Sequence, residues 1–130
     1  MNYDTNTEKR EKKFSVVDRI KSANHAWRGI GILMKTSHNL WGHIFFGLLA
    51  LYLGFILQIS NTEWLFLIFA IGLVVIAEAF NNAIEIDINL TSPEYHPYAR
   101  DTKDVAAGAV LLSVLVAIII GLIIFLPKII

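Results

Sequence analysis

The sequence predicts an all-α membrane protein, with one amphipathic interfacial helix followed by three membrane-spanning helices. Three observations carry that reading. Of the 130 residues, 55% are hydrophobic. The apolar residues gather into three blocks, Leu40–Ser60, Trp64–Ile84 and Val105–Leu126, instead of alternating as on the elements of a soluble domain. Each block runs 21 or 22 residues, close to the roughly 20 that cross a bilayer.

The chain opens on a hydrophilic tail, residues 1–13, whose charge and lack of periodicity predict disorder. No short apolar region with a small-residue cleavage site follows it, so it is unlike a secretory signal peptide. From Phe14 to about Lys35, Val16, Val17, Ile20, Ala23, Trp27, Ile30 and Leu33 recur at three- and four-residue steps. Asp18, Arg19, Lys21, Arg28 and Lys35 mostly fill the intervening positions, which predicts an amphipathic helix at the membrane interface. Residues 14–130 are then one membrane domain, with helix 14–35 and spans at about 40–60, 64–85 and 105–126.

The first span is the least purely apolar, because Trp41, His43 and Gln58 interrupt it. Ser60-Asn61-Thr62-Glu63 has the form of a capping box, which makes spans one and two an antiparallel hairpin. Asp87–Asp104 is the one substantial polar connection, and Ser92-Pro93 predicts a helical restart there. Ala99, Ala106, Ala107, Gly108 and Ala109 allow close helix approach as span three begins.

Net charge is zero, but eight of the eleven Lys and Arg residues precede the first span. Arg100 and Lys103 lie between spans two and three, and the Asn61–Glu63 turn has no basic residue. The positive-inside rule puts the N-terminus and the second connection in the cytoplasm. With Trp27 and Ile30 among its basic residues, the N-terminal segment is better suited to anionic lipid than to nucleic acid. The absence of cysteine excludes a disulfide framework, thiolate metal ligation and a cysteine nucleophile.

The second span holds the chemistry. Its end reads Glu78-Ala-Phe-Asn81-Asn82-Ala-Ile-Glu85, and ionisable groups at membrane depth are functional candidates by default. Seven residues, about two turns, separate the two glutamates, so they share a face with Asn81 and Asn82 beside them. Glu85, nearer the cytosol, suits magnesium, which takes oxygen ligands and shares its shell with phosphates. Glu78 lies deeper, where it can serve as a general base toward a membrane-anchored hydroxyl. Lys103 can place a positive charge on phosphate. No glycine-rich phosphate loop occurs anywhere in the chain, so neither a P-loop nor a protein-kinase site is present.

Together with Ser92-Pro-Glu94-Tyr95-His96-Pro and Lys103-Asp104-Val-Ala-Ala-Gly-Ala-Val, this pattern resembles the prokaryotic diacylglycerol kinase family, from about residue 19 to the end. The wording of the last two segments is closer to the undecaprenol kinase branch. The resemblance implies a homotrimeric inner-membrane enzyme that uses MgATP to phosphorylate a lipid hydroxyl, diacylglycerol or undecaprenol. By position it implies Glu78 as catalytic base, Asn81 as a positioning residue and Glu85 as ligand to metal and nucleotide. It further implies Glu94, Tyr95, His96, Lys103, Asp104, Arg19 and His25 as nucleotide-binding, and Ser22 and Trp27, with Glu78, as lipid-binding. As alternatives stand a catalytically impaired homologue serving as an assembly module, and an intramembrane ion relay built on Glu78 and Glu85.

The chain departs from the family pattern at four places. Ser37 stands where an acidic residue is usual, Trp41 where arginine is common, His25 where tyrosine is usual, and Asn89 where an aspartate follows Glu85. Loss of one carboxylate should weaken divalent-ion binding unless His38 or Asn39 compensates. His38 and His43 read as boundary residues, since five positions put them about 140° apart around a helix.

Overall fold

The computed structural model describes residues 13–130, which divide into two compact units, one ending at Gly31 and the other spanning Ile32–Ile130. Four helices make up nearly all of it: α1 Val16–Thr36, α2 His38–Ile56, α3 Asn61–Thr91 and α4 Pro97–Ile129. Helices α2, α3 and α4 are each long and apolar enough to cross a membrane. The expected all-helical architecture is present, with three helices that could span a membrane. Apart from Lys13, the polar tail lies outside the described residues.

Ser15 starts α1, accepting through its hydroxyl from the Asp18 N–H at 3.4 Å and through its carbonyl from the Arg19 N–H at 3.2 Å. In the second unit, one residue separates the end of α1 from α2. Ser37 takes an extended conformation (φ −92°, ψ 112°), and its hydroxyl accepts from the Leu40 N–H, so it is the N-cap of α2. The first span therefore begins at His38, two residues earlier than expected, and ends at Ile56, four residues sooner. It stops where Gln58 adopts φ 50°, a left-handed conformation that closes the turn without glycine.

Lipid tails are as apolar as leucine, so spans associate through close packing and not through a hydrophobic drive. The α2–α3 hairpin supplies that closeness with glycine. A Cβ on Gly47 would stand 3.2 Å from Ile71, and one on Gly54 would stand 3.0 Å from both Ile59 and Trp64. Ile59, Leu67 and Ile124 form the buried cluster at this end, with Trp64 and Phe125 against it. Ser60 caps α3 by accepting from the Glu63 N–H at 3.2 Å. The second half of the expected capping box does not form. The Glu63 carboxylate instead lies 3.2 Å from Lys128 Nζ, although its Oε2 is not aligned for a hydrogen bond. That pairing joins the start of α3 to the end of α4 and fixes the two helices antiparallel.

The polar connection is shorter than the sequence suggests. Ile84, Ile86 and Ile88 carry the helical run on, and α3 ends only at Thr91, with Ser92 as its C-cap before Pro93. The restart expected at Ser92-Pro93 occurs at His96-Pro97 instead. His96 is the N-cap, its Nδ1 accepting from the Tyr98 N–H at 3.2 Å, and Pro97 takes the first helical position. Most of 87–104 is thus helix.

The glycine packing makes a stability prediction. Gly54→Leu forces side-chain volume against Ile59 and Trp64 and should destabilise the protein by roughly 1–3 kcal/mol. Thermal unfolding in detergent would register it as a lowered Tm, whereas Gly72→Leu, with open space at its Cβ, should be tolerated.

Candidate active site

Helix α3 carries a buried polar face in an apolar setting. Glu78 is 2% exposed, Asn81 5% and Asn82 6%. A carboxylate there needs partners, because an unpaired buried charge is costly. Two side chains approach it, from α2 and its cap. The Ser37 hydroxyl, itself buried, donates to Glu78 Oε1 at 2.7 Å. His43 Nε2 stands 3.5 Å from Glu78 Oε2, yet neither atom has a hydrogen-bond partner. One oxygen of Glu78 is therefore engaged and the other is free.

The two asparagines have separate surroundings. Asn82 Nδ2 donates to Thr36 Oγ1 at 2.7 Å, and the Thr36 hydroxyl donates in turn to the Ile32 carbonyl at 2.7 Å. Asn82 thus ties α3 to the end of α1. Asn81 keeps a buried, unpartnered Oδ1 and lines a groove between α3 and α4 with Phe80, Ile84 and Ala106. Buried amide oxygens are rarely left unbonded, which marks Asn81 as an atom awaiting a partner.

Glu85 is exposed. It lies two turns beyond Glu78, a rise of about 10.5 Å, so one carboxylate is sheathed and the other reaches the polar end of the helix. No group of three or more His, Asp and Glu side chains among the described residues could hold a metal by itself. His38 and Asn39, offered as substitutes for the missing acidic residue, are exposed and make no such group.

Lys103, on α4, donates from Nζ to Asn89 Oδ1 at 2.6 Å, next to the Glu85 end of α3. A neutral amide holds the ammonium in place and leaves its charge for another anion. Asp104, Glu94, Tyr95 and His96 are all exposed, and the last three lie in the short link between α3 and α4. In the first unit, Arg19, Ser22, His25 and Trp27 lie on α1 and are exposed. The Arg19 guanidinium sits 5.4 Å above the Phe14 ring, and the Ser22 hydroxyl donates to the Asp18 carbonyl at 2.9 Å.

The carboxylates are legible in the sequence and the residues around them are not. Ser37 stands out there only as a departure from the family pattern, Thr36 carries no signal, and His43 reads as a boundary residue. The available signal was position. Ser37 directly precedes the first span, where a cap hydroxyl is expected, and His43 lies six residues further along the same helix. An apolar groove of about 370 Å³ runs between α2, α3 and α4 from His43 past Ala50 and Ile71 to Phe125.

Three bilayer-length helices around a buried, half-satisfied carboxylate define a small multi-pass membrane protein with a polar centre near one end of its spans. The chain belongs to the prokaryotic diacylglycerol kinase family, whose model matches residues 24–125. It is 40% identical to the undecaprenol kinase of Bacillus subtilis over 83% of this chain and 88% of that one. It is 35% identical to the diacylglycerol kinase of Synechocystis over 82% of this chain and 61% of that one. With the diacylglycerol kinase of Escherichia coli K12 it shares 30% identity over 77% and 82%.

The Asn82–Thr36 bond yields a prediction of its own. Asn82→Ala should cost about 1 kcal/mol of stability through the lost hydrogen bond. A lower Tm in detergent would register the loss, and an unchanged Tm would show that the contact contributes nothing.

Proposed function

We propose that this lipid kinase transfers the γ-phosphoryl group of ATP to the hydroxyl of a membrane-embedded alcohol, undecaprenol in preference to diacylglycerol. The observation that carries the reading is Glu78, buried among apolar helices with Oε2 unpartnered. Membership of the family supports phosphoryl transfer from ATP to a lipid. The 40% identity to an undecaprenol kinase, against 30% to the Escherichia coli diacylglycerol kinase, supports the polyprenol. The groove beside His43 is almost wholly apolar, which suits a hydrocarbon tail and not the path of an ion.

In this mechanism Glu78 Oε2 accepts the proton of the acceptor hydroxyl as its oxygen attacks the γ-phosphorus. Asn81, with its free Oδ1, positions that end of the site. Glu85 would hold magnesium, which neutralises charge on the phosphates when bound. Lys103, steadied by Asn89, places a positive charge on the nucleotide phosphates. Glu94, Tyr95, His96 and Asp104 complete the nucleotide side of the second unit, and Arg19 and His25, on the first unit, are assigned to the nucleotide by the family pattern. Ser22 and Trp27 are assigned to the lipid. The basic residues before α2 orient the N-terminus to the cytoplasm of a bacterial inner membrane, with α1 amphipathic and interfacial. Residues 14–130 act as a single kinase domain within a homotrimer.

The test is magnesium-dependent transfer from labelled ATP to undecaprenol and diacylglycerol, measured side by side with the purified protein. Undecaprenol should be the better acceptor. Glu78→Gln, which preserves shape and removes the base, should lower kcat roughly 100- to 10,000-fold. Lys103→Ala should chiefly raise KM for ATP. An active Glu78→Gln enzyme would remove Glu78 from its role, and no transfer to either lipid would end the reading.

A further inference from the structure

We infer that Ser37 is a positioning residue for Glu78: its hydroxyl engages Oε1 and leaves Oε2 as the oxygen that takes the proton. The inference deepens the lipid-kinase reading and rests on it.

The direction of each hydrogen bond follows from what the groups can do. A backbone N–H only donates, so toward Leu40 the Ser37 oxygen accepts, at 3.3 Å. An ionised carboxylate only accepts. The single Ser37 proton therefore goes to Glu78 Oε1, at 2.7 Å. Both side chains are buried, Ser37 at 5% and Glu78 at 2% exposure, so water does not compete for the bond. A charge-assisted bond in such a setting is worth about twice a neutral one.

The same hydroxyl links two elements that are 41 residues apart in sequence. Ser37 is fixed by capping α2, and the N-terminus of a helix favours negative charge. The carboxylate on α3 is thus gripped at one oxygen by the positive end of α2. Without that grip it could rotate and present either oxygen, or neither, to the acceptor. Among the described residues no other side chain donates to Glu78; His43 Nε2 faces Oε2 at 3.5 Å without bonding to it.

The consequence for the reaction is an asymmetric base. The acceptor oxygen forms its bond to the γ-phosphorus while the bond from phosphorus to the ADP oxygen breaks. The hydroxyl proton moves to Oε2, and Oε1 keeps the Ser37 bond throughout. Ser37 acts through Glu78, so its loss should lower turnover and spare nucleotide affinity.

The experiment compares kcat, KM for ATP and Tm in the purified full chain for wild type, Ser37→Gly, Ser37→Thr, Ser37→Cys and Glu78→Gln, with undecaprenol as acceptor. Glycine caps helices about as well as threonine but has no hydroxyl, so the Gly–Thr pair separates capping from donation. Ser37→Gly should lose roughly 10- to 100-fold in kcat with KM for ATP within about 2-fold, since small misplacements of a reacting group carry penalties of this size. Ser37→Thr should stay within about 3-fold of wild type because its hydroxyl can remake the bond. If Ser37→Gly does not fold, Ser37→Cys, similar in size with a weak donor, carries the same expected loss. Should the folded hydroxyl-free variants keep wild-type kcat while Glu78→Gln is inactive, the positioning role is wrong and the kinase reading stands. Equal losses in the Gly and Thr variants would also overturn it. A wild-type protein that transfers no phosphate would overturn both.

Discussion

The Glu78 carboxylate sits at 2% exposure on a long, predominantly apolar helix, and this constraint governs the rest of the molecule. A charge in that position must be paired or hydrogen-bonded, or the fold pays for it in full. The chain meets the need with a hydroxyl from the cap of the neighbouring helix. This choice ties the α1–α2 junction to the middle of α3. The one-residue break at Ser37 is consequently more than a hinge, since its extended backbone lets one side chain serve both the helix end and the acid.

The opposite ends of the α3–α4 pair are joined differently. At one end Glu63 and Lys128 face each other at 3.2 Å, each about 30% exposed, and pairs so wet contribute little energy. Their value is register, because they can meet only when α3 and α4 run antiparallel at this offset. At the other end Lys103 meets the neutral Asn89. Had an aspartate stood there, the ammonium would be neutralised within the protein. With an amide it is held and still charged.

The spans, their order and Glu78 were legible in the sequence because each rests on a local signal. Hydrocarbon blocks of bilayer length announce helices, and an acid inside one announces a site. The ends of the helices were less legible. Span two was expected to stop near residue 85, but Ile86 and Ile88 keep α3 going until Pro93 forbids it. Ser92-Pro93 and His96-Pro97 both fit a cap followed by proline, and choosing between them depends on where α3 ends. The partners of the site were hidden for a related reason. Ser37 and His43 acquire meaning only when α2 folds back along α3, and Asn82 only when Thr36 arrives beside it. Sequence spacing registers neighbours within a helix, and these contacts join helices.

The separation of the two glutamates gives the site its logic. An alcohol anchored in the bilayer brings its hydroxyl only as far as the membrane boundary, whereas a nucleotide is confined to water. A single carboxylate cannot serve both solvents. Helix α3 spans the difference with two, one buried beside an apolar groove and one exposed two turns further on. Had α3 stopped at Ile84, neither Glu85 nor Asn89, and with it the restraint on Lys103, would be on the helix that carries Glu78. The extension of α3 past the apolar block, the feature the sequence under-predicted, therefore sets the buried Glu78, the exposed Glu85 and Asn89 on one rigid element. Their spacing is then fixed by helical rise and does not depend on the conformation of a loop.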